Sequence, residues 1–285
     1  MANLKEIRNR ISSVSSTMQI TSAMKMVSAA KLKKAQDAIT AMRPYADKLT
    51  ELLQNLSTTL DADSGSKFAV QRDIKTVLIV AITSNRGLCG AFNSNIIKQA
   101  THLAKGYANQ KVSVVAIGKK GNDALAKEYQ VISNQSSVFD DLTFENVATI
   151  AEMLMAQFES GAFDKIELVY NKFKNAATQV VMTEPFLPIV STTESINVNQ
   201  DYIFEPSKAE IVETLIPKSL KTQLFKAIRD SFASEHGARM TAMHKATDNA
   251  TELRDQLKLT YNKARQAAIT NEILEIVGGA EALNN

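Results

Sequence analysis

The densest group of reactive side chains in this sequence is Thr83-Ser84-Asn85-Arg86-Gly87-Leu88-Cys89-Gly90. It follows an apolar run and opens a helical pattern, the place where α/β proteins meet a phosphate or dinucleotide with backbone amides. Its two glycines stand three apart, so it matches neither GxGxxG nor the GK[ST] of a P-loop. Gly118-Lys119-Lys120-Gly121 follows the next apolar run and also lacks a full motif. A tight strand-to-helix turn is the simpler reading of both. Cys89 has no histidine near it in sequence, so a buried thiol is expected rather than a nucleophile. Of His102, His236 and His244, the last two stand eight apart, roughly 12 Å along a helix and too far to share a metal. Glu272 and Glu275 share a helix face without cleft residues beside them, and Asp248, Glu252 and Asp255 read as a solvated face. Lys25, Lys31, Lys33 and Lys34 make the N-terminal stretch basic, yet it lacks aromatics for stacking on bases. No nucleophile, base and oxyanion site come together.

These residues sit on a simple plan of elements. From about Lys218 to Leu283 the chain has no proline, and glycine only at 237, 278 and 279. Ala246, Ala250, Leu253, Leu257, Thr260, Ala264, Ala267, Asn271 and Leu274 alternate four and three apart, the seam of a coiled coil. Such a helix would run roughly 100 Å, more than a compact domain of this length can hold. Residues 3 to about 57 form a second long helix, with a bend expected near Pro44. Its stripe is Leu4, Ile7, Ile11, Val14 and Met18, continuing through Thr21, Lys25, Ser28, Leu32, Ala35 and Ile39.

Between them the period changes. After a loop at Asp61–Lys67, strands are expected at Thr76–Ile82, Val112–Ile117, Lys165–Phe173 and Thr178–Thr183, with a weak one at Val131-Ile132. Helices are expected from an Asn93 or Ser94 cap to about Ala104, over Asn122–Tyr129, and over Thr143–Ser160. The last two main strands pair as a hairpin across Lys174–Ala177. Pro185, Pro188 and Pro206 mark a non-helical return, with an edge strand at Tyr202-Ile203-Phe204. The fold class is therefore α+α/β: a long antiparallel coiled coil of the N- and C-terminal helices with an inserted Rossmann-like α/β domain. The boundaries are 1–60, 68–206 and 207–285.

The net charge of +3 names no strongly basic or acidic partner, and one cysteine allows no internal disulfide. No uncharged apolar run reaches the length of a membrane span, and MANLKEIRNRIS has no apolar stretch of a secretory signal. The residues alone describe a non-catalytic helical rod with a globular foot. Two other readings stay open: a coiled-coil scaffold or nucleic-acid-binding protein, and a dinucleotide enzyme using the loop after Ile82.

Three stretches taken together carry a resemblance. IRNRISSVSSTMQITSAMKMVSAAKLKKAQ (Ile7–Gln36), TSNRGLCGAFN (Thr83–Asn93), and Ser234–Leu283 with MTAMHKATDNA and NKARQAAITNEILEIVGGAEAL resemble the gamma-subunit family of F-type ATP synthases. DYIFEPSK (Asp201–Lys208) is similar too, so the resemblance spans the chain, and the lack of a transit peptide points to a bacterial member. The resemblance implies a central rotor shaft inside a hexamer of alternating alpha and beta subunits. It also implies an α/β domain on the membrane c-ring beside the epsilon subunit, peripheral to the cytoplasmic face of the inner membrane. It implies no catalytic residue, cofactor, metal or nucleic acid on this chain. Subunit contacts are implied at Met24 and Lys25 (AMKM), Arg239 (ARM), Arg265, Gln266 and Thr270 (NKARQAAIT), and Glu272 and Glu275 (ITNEILE). The sequence departs from the family's habit at Met18-Gln19, at Lys25, at Ala91 and at Gly237 where alanine is usual. Mid-helix glycine costs roughly 0.5–1 kcal/mol, so a soft spot is expected there.

Overall fold

Two long helices and a five-stranded sheet are built by the two periodicities of the sequence, and the computed structural model describes residues 4–57, 67–189 and 208–283 of them. The first helix, α1, is Leu4–Ser57 and the last, α5, is Lys208–Leu283. Two compact units result: Met1–Ser28 with Met240–Asn285, and Ala29–Arg239.

In the first unit α1 and α5 pair antiparallel. Arg8 Nη2 donates to the Tyr261 hydroxyl at 2.7 Å, Arg254 Nη1 reaches Met18 Sδ at 3.4 Å, and Thr21 and Thr247 share a 2.8 Å hydrogen bond. Every residue of the stripe read from Leu4 to Ile39 is buried or half-buried, the last of them in the second unit. The α5 seam differs from the expected one. Ala250, Leu257 and Ala264 belong to it, but the alternate positions are Thr247, Arg254 and Tyr261, while Leu253 is 42% exposed and Thr260 is exposed. Arg254 and Tyr261 cover the seam with stem and ring and send their polar tips to α1. Leucine 253, the more apolar choice, faces outward.

In the second unit the sheet order is β3-β2-β1-β4-β5, from β1 (Thr76–Ile82), β2 (Lys111–Ile117), β3 (Gln130–Asn134), β4 (Lys165–Phe173) and β5 (Gln179–Leu187). The first four are parallel and β5 is antiparallel to β4. β1 lies in the middle, and its run of β-branched residues is buried on both faces. Val77, Ile79 and Ala81 meet α2 (Phe92–Gly106) and α3 (Lys119–Leu125) on one face. Leu78, Val80 and Ile82 meet α4 (Phe144–Glu159) and the Ile216–Ile228 stretch of α5 on the other. The strands at 76–82 and 165–173 and the antiparallel hairpin are as the sequence predicts.

Local chemistry moved several boundaries. α5 begins at Lys208, ten residues ahead of the proline-free stretch that opens at Lys218, and continues through Pro217. An interior proline costs about 3 kcal/mol. Ile216, Leu220, Leu224 and Ile228, at 6%, 3%, 0% and 0% exposed, each return roughly 1.5–3 kcal/mol by burial, so packing wins. β5 likewise runs through Pro185, which is tolerated on an edge strand with a register shift beside it. α2 opens after Ala91 without a side-chain cap, because the Asn93 carbonyl oxygen accepts from Ser84 N at 2.9 Å and Ser94 Oγ donates back to Ala91 O. α3 starts three residues before the expected Asn122, its first amides being held by Asn85 Oδ1 and Ser84 O of the loop after β1. α4 is capped by Thr143, whose Oγ1 accepts from Asn146 N. The strand expected at Tyr202–Phe204, Pro206, and the loop at 61–66 lie outside the described residues. Among the described residues no helix is long and apolar enough to cross a membrane.

Candidate functional site

Thr83 N donates to Ile117 O at 2.8 Å, and Thr83 Oγ1 donates to Gly118 O and accepts from Gly121 N at 2.8 Å. Lys119 N donates to Asn85 Oδ1 at 3.0 Å and Lys120 N to Ser84 O at 3.1 Å. The amides of Thr83, Ser84, Lys119, Lys120 and Gly121 are thus spent on contacts within the protein. Gly118 has φ +116°, and a Cβ there would stand 2.3 Å from Thr83 O, so this glycine serves strand-to-loop approach. Cys89 is 2% exposed, and burial pushes its thiol pKa up, which keeps it protonated and unreactive. Its Sγ lies 3.2 Å from Asn93 Nδ2, which also donates to Ser84 Oγ at 2.8 Å.

In sheets of this topology ligands enter between the strand ends where the connections diverge. Here that crevice lies between the loop after β1 and the turn after β4, and α5 fills it. Ser234 Oγ donates to Asn171 O at 3.0 Å, and Gly237 lies against the turn so closely that a Cβ would be 3.1 Å from Ala176 O. Gly237 is thus a close-packing glycine, a role the sequence did not reveal. Two residues further, Arg239 is 6% exposed. Its Nη1 donates to Glu235 Oε1 at 2.7 Å, its Nη2 to Arg86 O at 3.0 Å, and its Nε to Gly87 O at 3.3 Å. Burial raises the Glu235 carboxyl pKa, and Arg239 opposes that shift. His236, 5% exposed, packs edge-on against Phe232 at 4.5 Å, with Nδ1 3.4 Å from Arg239 Nη1. Burial first, then Arg239 and Lys31, pushes its pKa down to about 4.

The other residues implied as contacts lie in the first unit. Met24 and Lys25 are half-buried on α1; Arg265, Gln266, Thr270, Glu272 and Glu275 are exposed on α5. Since Thr21 pairs with Thr247, the two groups stand roughly 30–50 Å apart along the coil. Residues 265–280 are exposed on every face. Ile269, Ile273, Leu274, Ile276 and Val277 are 48–65% exposed, as are Ile20, Met26 and Val27 on α1 at 58–64%. The α1 trio was missed at the sequence level, although apolar residues off the seam stripe were the available signal. His102 is exposed, His244 sits in an exposed pair with Asp248 at 3.3 Å, and neither meets His236. Among the described residues no three histidine, cysteine or carboxylate side chains gather as a metal site.

Comparison with known proteins gives a consistent result. The family model described as ATP synthase matches residues 3–283. A protein of Flavobacterium psychrophilum named ATP synthase gamma chain is 77% identical over 284 residues, 99% of each chain. In the Tetrahymena thermophila mitochondrial ATP synthase central stalk and c-ring structure, a chain 28% identical aligns with a TM-score of 0.60, covering 80% of this chain and 99% of that one. A chain of the Euglena gracilis mitochondrial ATP synthase OSCP/F1/c-ring structure shares the fold at TM-score 0.72, with 24% identity over 98% of this chain and 94% of that one.

Proposed function

The chain belongs to the ATP synthase gamma-chain family, and on that premise we infer that it works as the non-catalytic central-stalk rotor of an F-type enzyme. Its partners are the hexamer of alternating alpha and beta subunits, the epsilon subunit and the membrane c-ring. The complex holds it at the cytoplasmic face of a bacterial inner membrane. Residues 1–60 and 207–285 serve as the shaft, and 68–206 as the domain that engages the ring. Catalysis and nucleotide belong to the partner subunits; this chain supplies torque and asymmetry.

The observation that carries this reading is the naked end of α5. A helix that exposes Ile269, Ile273, Leu274, Ile276 and Val277 to water gains roughly 1.5–3 kcal/mol for each one that a surrounding sleeve buries. Dispersion contacts are non-directional, so such a tip can turn within an apolar collar at little cost. Directional hydrogen bonds from Arg265, Gln266 and Thr270, with Glu272 and Glu275 beyond them, act as catches that hold particular angles. Met24 and Lys25 add a second contact level roughly 30–50 Å away.

Co-expression with alpha and beta subunits tests the reading. The expected result is one copy of this chain per hexamer, inactive alone, with coupling lost when residues 271–285 are removed. Separate elution with unchanged ATP hydrolysis would overturn it. Replacing Arg265 and Gln266 together with alanine is expected to lower coupled synthesis; wild-type synthesis would remove them from the contact set.

A further inference from the structure

We propose that Arg239 is a positioning residue that acts through Leu88, the side chain presented to the partner subunit at this level. The inference rests on the rotor reading above. Leu88 has φ +61°, a left-handed conformation that leucine adopts at a cost of roughly 1 kcal/mol. It is also 63% exposed. A strained backbone that turns an apolar side chain into water persists only when its surroundings impose it.

The surroundings are on both sides of it. Before Leu88, the carbonyls of Arg86 and Gly87 are gripped by the Arg239 guanidinium at 3.0–3.3 Å. After it, Cys89 is buried with Phe92 and Ala238, and Phe92 N donates to Cys89 O at 3.2 Å. The guanidinium is itself fixed by Glu235 at 2.7 Å inside the unit. Gripping two successive carbonyls while holding a carboxylate needs a planar fork, which lysine cannot supply. Arg239 therefore spends its donors inward, and the loop carries the outward contact. The arrangement also ties the loop to α5, so a twist of that helix is felt at Leu88.

A double-mutant cycle in the complex with alpha and beta subunits tests this, read as the affinity of the chain for the hexamer. Leu88→Ala and Arg239→Met are each expected to weaken binding roughly tenfold, the double variant no further. If Arg239→Met costs the same in both backgrounds, Arg239 touches the partner itself and the proposal fails. Arg239→Lys is expected not to restore affinity; recovery would show that charge alone suffices and would also overturn it. Leu88→Gly separates contact from folding, since it relieves the backbone. Its thermal midpoint should rise while affinity falls, and retained affinity would refute the proposal. These last two variants decide the question even where Arg239→Met does not fold. A wild-type chain that does not bind the hexamer would instead remove the rotor reading, and this inference with it.

Discussion

Replacing His236 with glutamine should flatten one part of the chain's acid response. The imidazole is 5% exposed, edge-on to Phe232 and beside Arg239, and its pKa is pushed down to about 4 from 6.5. Burial is the main cause, followed by the positive charges of Arg239 and Lys31. The folded state thus favours the neutral ring, while the unfolded chain binds a proton near pH 6.5. A depressed pKa in a cationic acid gives stability that is fully present above the unfolded value and is lost as pH falls toward the folded one. At 1.36 kcal/mol per pKa unit the full loss is about 3 kcal/mol, complete near pH 4. Urea unfolding of the purified chain, followed by circular dichroism from neutral pH downward, measures it. The wild-type minus His236→Gln difference should be flat above about pH 7 and shrink by about 3 kcal/mol toward pH 4. Two curves that run parallel over that range, or an imidazole that titrates by NMR at its ordinary value, would refute the reasoning.

Gly237→Val should lower the denaturation midpoint by an amount equivalent to about 2 kcal/mol, because a Cβ there already meets Ala176 O at 3.1 Å; alanine should be near neutral, as helix propensity offsets the tight contact. Asp230 is 1% exposed, its Oδ1 has no hydrogen-bond partner, and burial raises its pKa. A raised acid pKa means stability falls as pH rises through the folded value, so Asp230→Asn should raise the urea midpoint at mildly alkaline pH and less in acid. Thr247→Val should cost about 1 kcal/mol by removing the donor to the Thr21 hydroxyl, which keeps only its own bond to Met18 O, whereas the Thr21→Val, Thr247→Val pair should recover part of it in thermal melts. Removing residues 271–285 should leave the chain's own melting temperature unchanged, since residues 271–280 bury nothing within it.

The α1 stripe was legible because small and apolar residues there meet a partner helix inside the same chain, so hydrophobic periodicity and burial report one thing. On α5 the two diverge. Leu253, Leu259 and the tip residues are apolar yet exposed, and Arg254 and Tyr261 take the seam. Periodicity counts everything that is buried in any setting, including burial by other molecules, and cannot say which face belongs to which partner. The central strands were readable from β-branched runs, but β5 continued through Pro185 because edge position is a tertiary fact. Arg239 shows the deeper limit. Its carbonyl partners are about 150 residues away in sequence, and no spacing rule reaches that far. Gly237 is alike: read from neighbours in the helix it is a soft spot, but the turn at Ala176 makes it a fitted surface.

The filled crevice at the strand ends decides how the second unit can be taken apart. An α/β sheet of this kind has a mouth suited to holding something, and here the guest is the chain's own helix. Ser234, Glu235, Gly237 and Arg239 meet it as a ligand would, with a hydroxyl on Asn171 O, a bare backbone against the turn, and a fork on the loop carbonyls. A helix bound as an internal ligand obeys mass action once the covalent link is cut. A chain severed ahead of α5 should therefore take back a peptide spanning that segment, and the strength of that recapture would report how firmly the rotor's helix is gripped by the domain through which it passes.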